Sequence, residues 1–463
     1  MSEMIWVEAF IQTGINEMDK VIPFVLTIFG ASGDLAKLKI FPAVYELYKS
    51  SKLPQEFLIV GYARTTKTDE EFRLEFEQSI KARYGAVDIN ILSQLLTHVH
   101  YYGGLYNERD NFISYKHYLR PLSSNINVFL NYFSVPPTVF KDIIKNLGEI
   151  FNEFDTRVIL EKPFGNDTGS ARELFQFVNG YFHEDQIFLL DHYLGKYMVQ
   201  QILRLRCNNE ILNVLTQPQN IQNIQINVLE EIGVTNRIGY FDQVGMIKDL
   251  IQSHMLQLLA LTTMSLLPDT SLKQLKDEKL KILQTLKFNL KDAEVNIGQY
   301  QSYLQEIGVP NESTTETFAL VKINISSKDW ENIPIYLRTG KKLNSKHTYI
   351  VIEYKTNEEQ TSNNRLILYL QPEGKLEFQM IDNNNHINLK TNISDESSLS
   401  EHSTLLIDSI NKEQRNFLSF KEIEACWEVT DAITNYIKEN DIKLQIYPDN
   451  SIGPTINFKM FEI

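Results

Sequence analysis

Apolar runs at FVLTIF (24–29), FLIVGYA (57–63), INVFLNYFSV (126–135), RVILE (157–161) and QIFLLD (186–191) have the length and composition of buried strands. Helical patterns lie between them. DLAKLKIFPAVYELYKSS (34–51) reads as a helix containing one proline, and TDEEFRLEFEQSIKARY (68–84) as a charged amphipathic helix. Strands alternating with helices predict a parallel sheet with both faces covered, an α/β doubly wound, Rossmann-like dinucleotide-binding domain over residues 21–195.

The texture then changes. IQNIQINVLEEI (221–232) is a long alternating strand, and Gly245 to Thr263 reads as one long apolar helix. From about 314 to 395 come TETFALVKINI, IPIYLR, TYIVIEYK, NRLILYLQP and KLEFQMI, strand-like runs without helices between them, which favour a mainly antiparallel sheet. Helical segments near 401–414 and 421–438 complete a β+α domain over residues 196–463, expected to bind substrate and mediate oligomerisation. The polar stretch 381–403 reads as a surface excursion, and residues 1–20 as an N-terminal extension matching no pattern.

With 463 residues, 43% hydrophobic, the chain is too long for one core, so two domains are expected. No apolar run approaches the roughly 20 residues that span a bilayer. The N-terminus lacks the basic flank and uninterrupted apolar centre of a secretory signal, so a cytoplasmic, membrane-free protein is expected. Cys207 and Cys426 form neither a disulfide framework nor a metal-ligand spacing, and no metal is expected. A net charge of −14 argues against nucleic acid as a partner. It also means that an anionic substrate must be met by locally gathered cations.

The first strand ends in Gly30-Ala31-Ser32-Gly33-Asp34-Leu35, where glycines let the backbone approach a pyrophosphate set against a helix N-terminus. The spacing is not G-x-G-x-x-G, and a plain strand-to-helix turn explains it too. The second strand ends Gly61-Tyr62-Ala63-Arg64, with a guanidinium where NAD-binding folds commonly carry a carboxylate. Arg64 suits the 2′-phosphate of NADP, or is a solvated charge; NADP is the expected coenzyme, with NAD use possible.

RVILEKPFG puts Lys162 at the carboxyl edge of the sheet, where ligands bind in such folds. Asp191-His192-Tyr193-Leu194-Gly195-Lys196 follows the next strand. A helix starting there would turn His192 and Lys196 to one face, two donors for a phosphate dianion. The helix after Gly239-Tyr240-Phe241-Asp242 carries Asp249 and His254; His254 is either a core histidine or a base of suitable pKa. Five residues apart, the two lie about 140° around an α-helix, so a carboxylate from elsewhere is needed to orient the imidazole.

GASGDLA, GYAR, PPTVF, EKPFG, DHYLGK, GYFD…KDLIQSH, STTETFA, LRTGKKLN and LQP occur in the order and spacing of glucose-6-phosphate dehydrogenases, which the chain resembles from about residue 24 to about 455. The resemblance implies hydride transfer from glucose 6-phosphate to NADP, yielding 6-phosphogluconolactone, the first step of the oxidative pentose phosphate pathway. It implies His254 as general base, Asp191 as its orienting carboxylate, and His192, Tyr193 and Lys196 as the phosphate clamp. Lys162 would bridge substrate and nicotinamide. Glu230 and Asp249 would accept from sugar hydroxyls, Lys341 and Gln371 would close the pocket, and Lys39 and Lys346 would be substrate-side lysines. Gly30 to Leu35 and Arg64 fall on the coenzyme positions. A homodimer or homotetramer is implied. Tyr197, Gln201, Phe140, Lys346 and Tyr369 depart from the family's usual residues, Tyr369 where some members carry an arginine for a second, structural NADP. A sugar dehydrogenase of the same architecture, or a catalytically silent paralogue, are the rival readings.

Overall fold

A computed structural model describes residues 22–266, 270–356, 363–382, 385–393, 399–456 and 460–461. The N-terminal extension, residues 1–20, lies outside them. The chain forms two compact units. Described residues of the first are 22–163, 174–195 and 399–418; the second takes 164–173, those within 196–398, and those from 419 onward.

Among the described residues the first unit contains a six-stranded sheet. Its strands are β1 (Phe24–Phe29), β2 (Phe57–Ala63), β3 (Val99–Gly103), β4 (Val128–Phe133), β5 (Asp155–Glu161) and β6 (Ile187–Leu190), in the order β3-β2-β1-β4-β5-β6. Every pairing is parallel. All residues of β1, β2 and β4 are buried, as expected of strands covered on both faces. The order reverses between β1 and β4, and the crevice at the carboxyl ends of those strands is where such folds hold dinucleotides. The helix Asp69–Tyr84 starts on a capping box made by Thr68 and Glu71.

The second unit is built on a ten-stranded mixed sheet, again among the described residues. Its strands are β7 (Ile221–Leu229), β8 (Leu286–Lys287), β9 (Val295–Tyr300), β10 (Phe318–Ile325), β11 (Ile335–Gly340), β12 (His347–Tyr354), β13 (Arg365–Gln371), β14 (Lys375–Asp382), β15 (Asn385–Asn392) and β16 (Gln445–Tyr447). They run in the order β15-β14-β13-β12-β7-β11-β10-β9-β16, with β8 on β10. Only β7–β11 and β9–β16 pair in parallel there. The helix Leu256–Thr263, all of it buried, packs with the helix Leu272–Thr285, which packs in turn with the helix Phe420–Glu439. Lys279 and Glu422 form an ion pair at 3.0 Å between the latter two, each 2% exposed.

Three sequence expectations are corrected. Residues 385–392 of the polar excursion form β15, hairpin partner of β14. The strand buries little, since Ile387 and Leu389 are exposed, so its backbone ladder and not an apolar face holds it. The helix Glu401–Ile410 does not complete the second domain. It returns to the first unit, where Leu405, Leu406, Ile410 and Phe417 join the core with Phe188, and Arg157 donates to the Ser409 and Ile410 carbonyls at 2.9 and 2.7 Å. Finally, the stretch from Gly245 to Thr263 is not one α-helix. Gly245 (φ 71°, ψ 176°) breaks it, Ile247–Met255 is π-helical, and α-helix resumes at Leu256.

Candidate active site

In the first unit, β1 runs into the glycine turn at the switch point. Gly30 has φ 80°, and its N–H donates to the Tyr62 carbonyl at 2.9 Å. A Cβ there would lie 2.1 Å from the Ser134 carbonyl oxygen at the end of β4, so only glycine leaves the crevice floor open. Gly33 donates to the Gly30 carbonyl at 2.9 Å and Lys37 to that of Gly33 at 3.2 Å, closing the turn onto a π-helical segment, Ala36–Ile40, and the helix Phe41–Lys49. Ala31 is buried, Ser32 and Leu35 half-buried, and Gly33 and Asp34 exposed. The residues fit a dinucleotide: bare backbone at a helix start, with exposed Arg64 just beyond β2. Lys67 is a cation the sequence reading missed. Its ammonium lies 3.5 Å from the Ser32 hydroxyl and pairs with Glu75 at 2.6 Å. Its position three residues past Arg64 was the available signal.

Lys162 follows β5, and its bond to Pro163 is cis. Asp191 follows β6, 1% exposed; its carboxylate accepts from the Tyr193 N–H at 3.0 Å and shapes the turn His192–Gly195. A Cβ on Gly195 would sit 2.5 Å from the Glu401 carbonyl, so the turn and the helix Glu401–Ile410 require each other's backbone closely. The His192 ring lies beside Tyr193 (5.1 Å, 67°). Lys39 pairs with Glu401 at 3.3 Å.

Lys196 is not on a helix with His192. It is the N-cap of the helix Tyr197–Asn208, with extended backbone (φ −68°, ψ 132°), so the four-residue helical geometry expected for the clamp does not form. The Asp191-anchored turn ends before it.

In the second unit, Lys196 donates to the Gln371 side chain at 2.9 Å, at the end of β13. Parallel pairing sets Leu229 of β7 opposite Gly340 of β11, so the residues next along each strand, Glu230 and Lys341, leave the same sheet edge. They form an ion pair, with the Lys341 ammonium also 5.4 Å from the Phe241 ring. Lys346 is exposed, ahead of β12, and joins neither pair.

Asp249 and His254 share the π-helical segment, 3% and 1% exposed. The α-helical arithmetic that separated them is overturned, because a π-helix bonds i to i+5 and turns residues five apart toward one side. Arg237 lies 3.8 Å from the Asp249 carboxylate. The segment's start is held by Glu316, which sequence reading did not single out. Its carboxylate accepts from the Ile247 N–H at 3.1 Å, its carbonyl from the Met246 N–H at 3.0 Å, and a Cβ on Gly245 would come within 2.4 Å of the carboxylate. Burial pushes the Glu316 carboxyl up to about 7, against the lowering pull of those backbone N–H groups and Lys248. Of the departures, Tyr197 opens its helix half-buried, and Tyr369 lies under the Lys375 ammonium (4.3 Å) and donates to Glu377 at 3.2 Å.

Residues 27–201 match the family "Glucose-6-phosphate dehydrogenase, NAD binding domain" and residues 203–462 "Glucose-6-phosphate dehydrogenase, C-terminal domain". Arabidopsis thaliana "Glucose-6-phosphate 1-dehydrogenase 5, cytoplasmic" is 33% identical over 459 residues, covering 93% of this chain and 89% of its own. A solved glucose-6-phosphate dehydrogenase in complex with its substrate glucose-6-phosphate superposes with TM-score 0.87 at 30% identity, covering 95% of this chain and 96% of that one. The enzyme of that name from Mycobacterium avium gives TM-score 0.84 at 27% identity, over 94% and 95% of the two chains. With both domains matched and relatives of this similarity along nearly its whole length, the chain belongs to the glucose-6-phosphate dehydrogenase family.

Proposed function

We propose that the chain oxidises glucose 6-phosphate to 6-phosphogluconolactone, with NADP as its preferred coenzyme. The observation that carries this reading is the edge of the parallel sheet. There the glycine turn lies at the switch point, and Lys162 and the Asp191-His192-Tyr193 turn leave the carboxyl ends of β5 and β6.

A nicotinamide coenzyme, when bound, would accept the hydride. The chain's own groups bind, orient and move the proton. His192, Tyr193 and Lys196 hold the phosphate, with Lys196 presented by its bond to Gln371. His254 takes the proton of the anomeric hydroxyl as the C–H pair of electrons departs, and Asp191 is the orienting carboxylate. Glu230 and Asp249 accept from sugar hydroxyls. Lys341, held by Glu230, and Lys39 and Lys346 supply positive charge on the substrate side, and Lys162 lies at the reacting end. Gly30 to Leu35 cradle the pyrophosphate. Arg64, with Lys67 nearby in sequence, reads the 2′-phosphate. Assembly as a homodimer or homotetramer belongs to the same proposal. So does cytoplasmic residence, supported by cytoplasmic relatives although others are chloroplastic. No helix among the described residues is long and apolar enough to cross a membrane.

The test is coenzyme reduction by the purified protein with glucose 6-phosphate or free glucose, and NADP or NAD. Turnover confined to the phosphorylated sugar is expected, and no turnover would overturn the reading. Arg64→Ala should weaken NADP by about 1.5–3 kcal/mol and leave NAD nearly unaffected. Equal losses would remove Arg64 from the 2′-phosphate.

A further inference from the structure

A buried histidine outside the assigned machinery lies against the turn that carries His192. His402, on the first turn of the helix Glu401–Ile410, is 7% exposed. Its ring is nearly parallel to that of His192, with centroids 6.3 Å apart and 16° between planes. Carboxylates flank both of its nitrogens: Glu161 lies 3.9 Å from Nε2 and Glu401 3.6 Å from Nδ1. Neither contact is a formed hydrogen bond, and Nδ1 is buried without a hydrogen-bond partner among the described residues. An ionised carboxylate only accepts, so either ring nitrogen can donate toward its neighbour.

The flanking groups connect outward. Glu161 precedes Lys162 and accepts from the Tyr132 hydroxyl at 2.5 Å. Burial raises its pKa, and the nearby His402 and Lys162 oppose that rise. Glu401 accepts from Lys39 at 3.3 Å, and its pKa is held far down, first by the His402 imidazole. Glu46 is the other carboxylate packed on this helix end, engaged by Ser400 and Ser403. Asp191 adds a further negative charge near Glu161. The His402 ring separates the Glu161 and Glu401 carboxylates beside His192.

We propose that His402, held between Glu161 and Glu401, is a positioning residue that orients His192 and sets the affinity for the substrate phosphate. The inference rests on reading the His192 turn as the phosphate site. It gives Lys39 a second role, as the cation that keeps Glu401 in place.

The test is His402→Gln, which keeps a neutral hydrogen-bonding side chain of similar reach. The KM for glucose 6-phosphate should rise roughly tenfold, the scale of one hydrogen bond to a charged group lost when His192 is misoriented. The KM for the coenzyme should move less than about twofold, and kcat should change less than the KM for glucose 6-phosphate. Should the variant fail to fold, ¹⁵N NMR of the wild-type protein with and without saturating inorganic phosphate decides: a displacement of the His402 ring resonances supports the proposal, and none overturns it. An unchanged KM for glucose 6-phosphate, or an equal rise for the coenzyme, also overturns it. Wild-type turnover of glucose 6-phosphate is scored separately. An active wild type with an indifferent His402→Gln loses only this inference, whereas an inactive wild type loses the functional reading.

Discussion

Two π-helical segments in this chain follow a glycine of positive φ, and the walls behind those glycines differ. Gly30 (φ 80°) leads into Ala36–Ile40 in the first unit, and the atom a Cβ would strike is a backbone carbonyl, that of Ser134. Gly245 (φ 71°) leads into Ile247–Met255 in the second, and the obstructing atoms belong to the Glu316 carboxylate. The first segment is largely surface: Leu38 is exposed, and Lys37 and Lys39 reach Glu75 and Glu401. From Asp249 to Met255 the second is buried. π-Turns recur at functional sites because the extra residue re-aims side chains. Here one belongs to a surface that gathers charge, and the other carries the buried His254, the proposed base, on a segment whose anchor can itself titrate.

The largest expected effect separates the roles of the segments. His254→Asn should lower kcat by about 10²–10⁴, the usual worth of general-base assistance, with a much smaller change in KM. Near-normal kcat in steady-state assays would remove the base from the buried segment and collapse the contrast.

The glycine walls come next. Gly30→Ala and Gly245→Ala should each destabilise by about 1–3 kcal/mol from backbone strain alone, with steric overlap added. Adding Glu316→Ala should recover part of the Gly245→Ala loss, whereas no side-chain truncation can clear the Ser134 carbonyl from Gly30. Strict additivity of Gly245→Ala and Glu316→Ala in denaturant melts would show that the carboxylate is not the wall.

A smaller effect should follow pH. Glu316 has a folded pKa raised by burial to about 7 from an ordinary 4.5, so the folded protein holds the proton more tightly than the unfolded chain. Its contribution to stability is then full below the ordinary value, is lost as pH rises toward about 7, and is constant above. Asp408, pushed up to about 6 by burial, acts in the same direction, so the difference between wild type and Glu316→Gln isolates Glu316. The melting temperature of wild type relative to the variant should fall between about pH 4.5 and 7. Parallel curves would leave Glu316 without this titration.

Smallest of all should be Lys39→Ala. Its pair with Glu401 is partly exposed and worth at most about 1 kcal/mol, so stability should hardly change. The KM for glucose 6-phosphate should rise a few-fold, with kcat less affected. A loss of kcat as large as that of His254→Asn would show that the surface segment also takes part in the chemistry.

How far the site was legible depended on whether a residue's role comes from its place along the chain. Gly30, Lys162 and Asp191 could be placed from sequence because strand ends are visible as the close of an apolar run, and in a parallel sheet those ends are where ligands go. Lys67 offered only its nearness to Arg64, and Glu316 and His402 offered no signal. Each acts through something far away in sequence: the Ser32 hydroxyl, the Gly245 backbone, and the His192 ring. The expected His192–Lys196 face failed because helix periodicity says nothing of where a helix starts, and the Asp191 carboxylate ends one turn before Lys196 begins the next helix. The π-helix escaped for a related reason. Its apolar pattern suits either winding, and only the anchor at Glu316 and the break at Gly245 select the wider one.

The sequence by itself determined the buried strands of the parallel sheet, whose continuous apolar runs can be satisfied only between two layers of helices, and the bare-backbone turn, whose glycines permit what no side chain allows. Tertiary structure decided which distant segments meet them. The helix Glu401–Ile410 has an amphipathic face that any core could bury. The pressure of its Glu401 carbonyl on Gly195, and the Arg157 bonds to its last carbonyls, bring it to the first unit and set His402 beside His192. Apolar burial is non-directional and so leaves the partner open, while close backbone approach and buried hydrogen bonds have geometry and choose it.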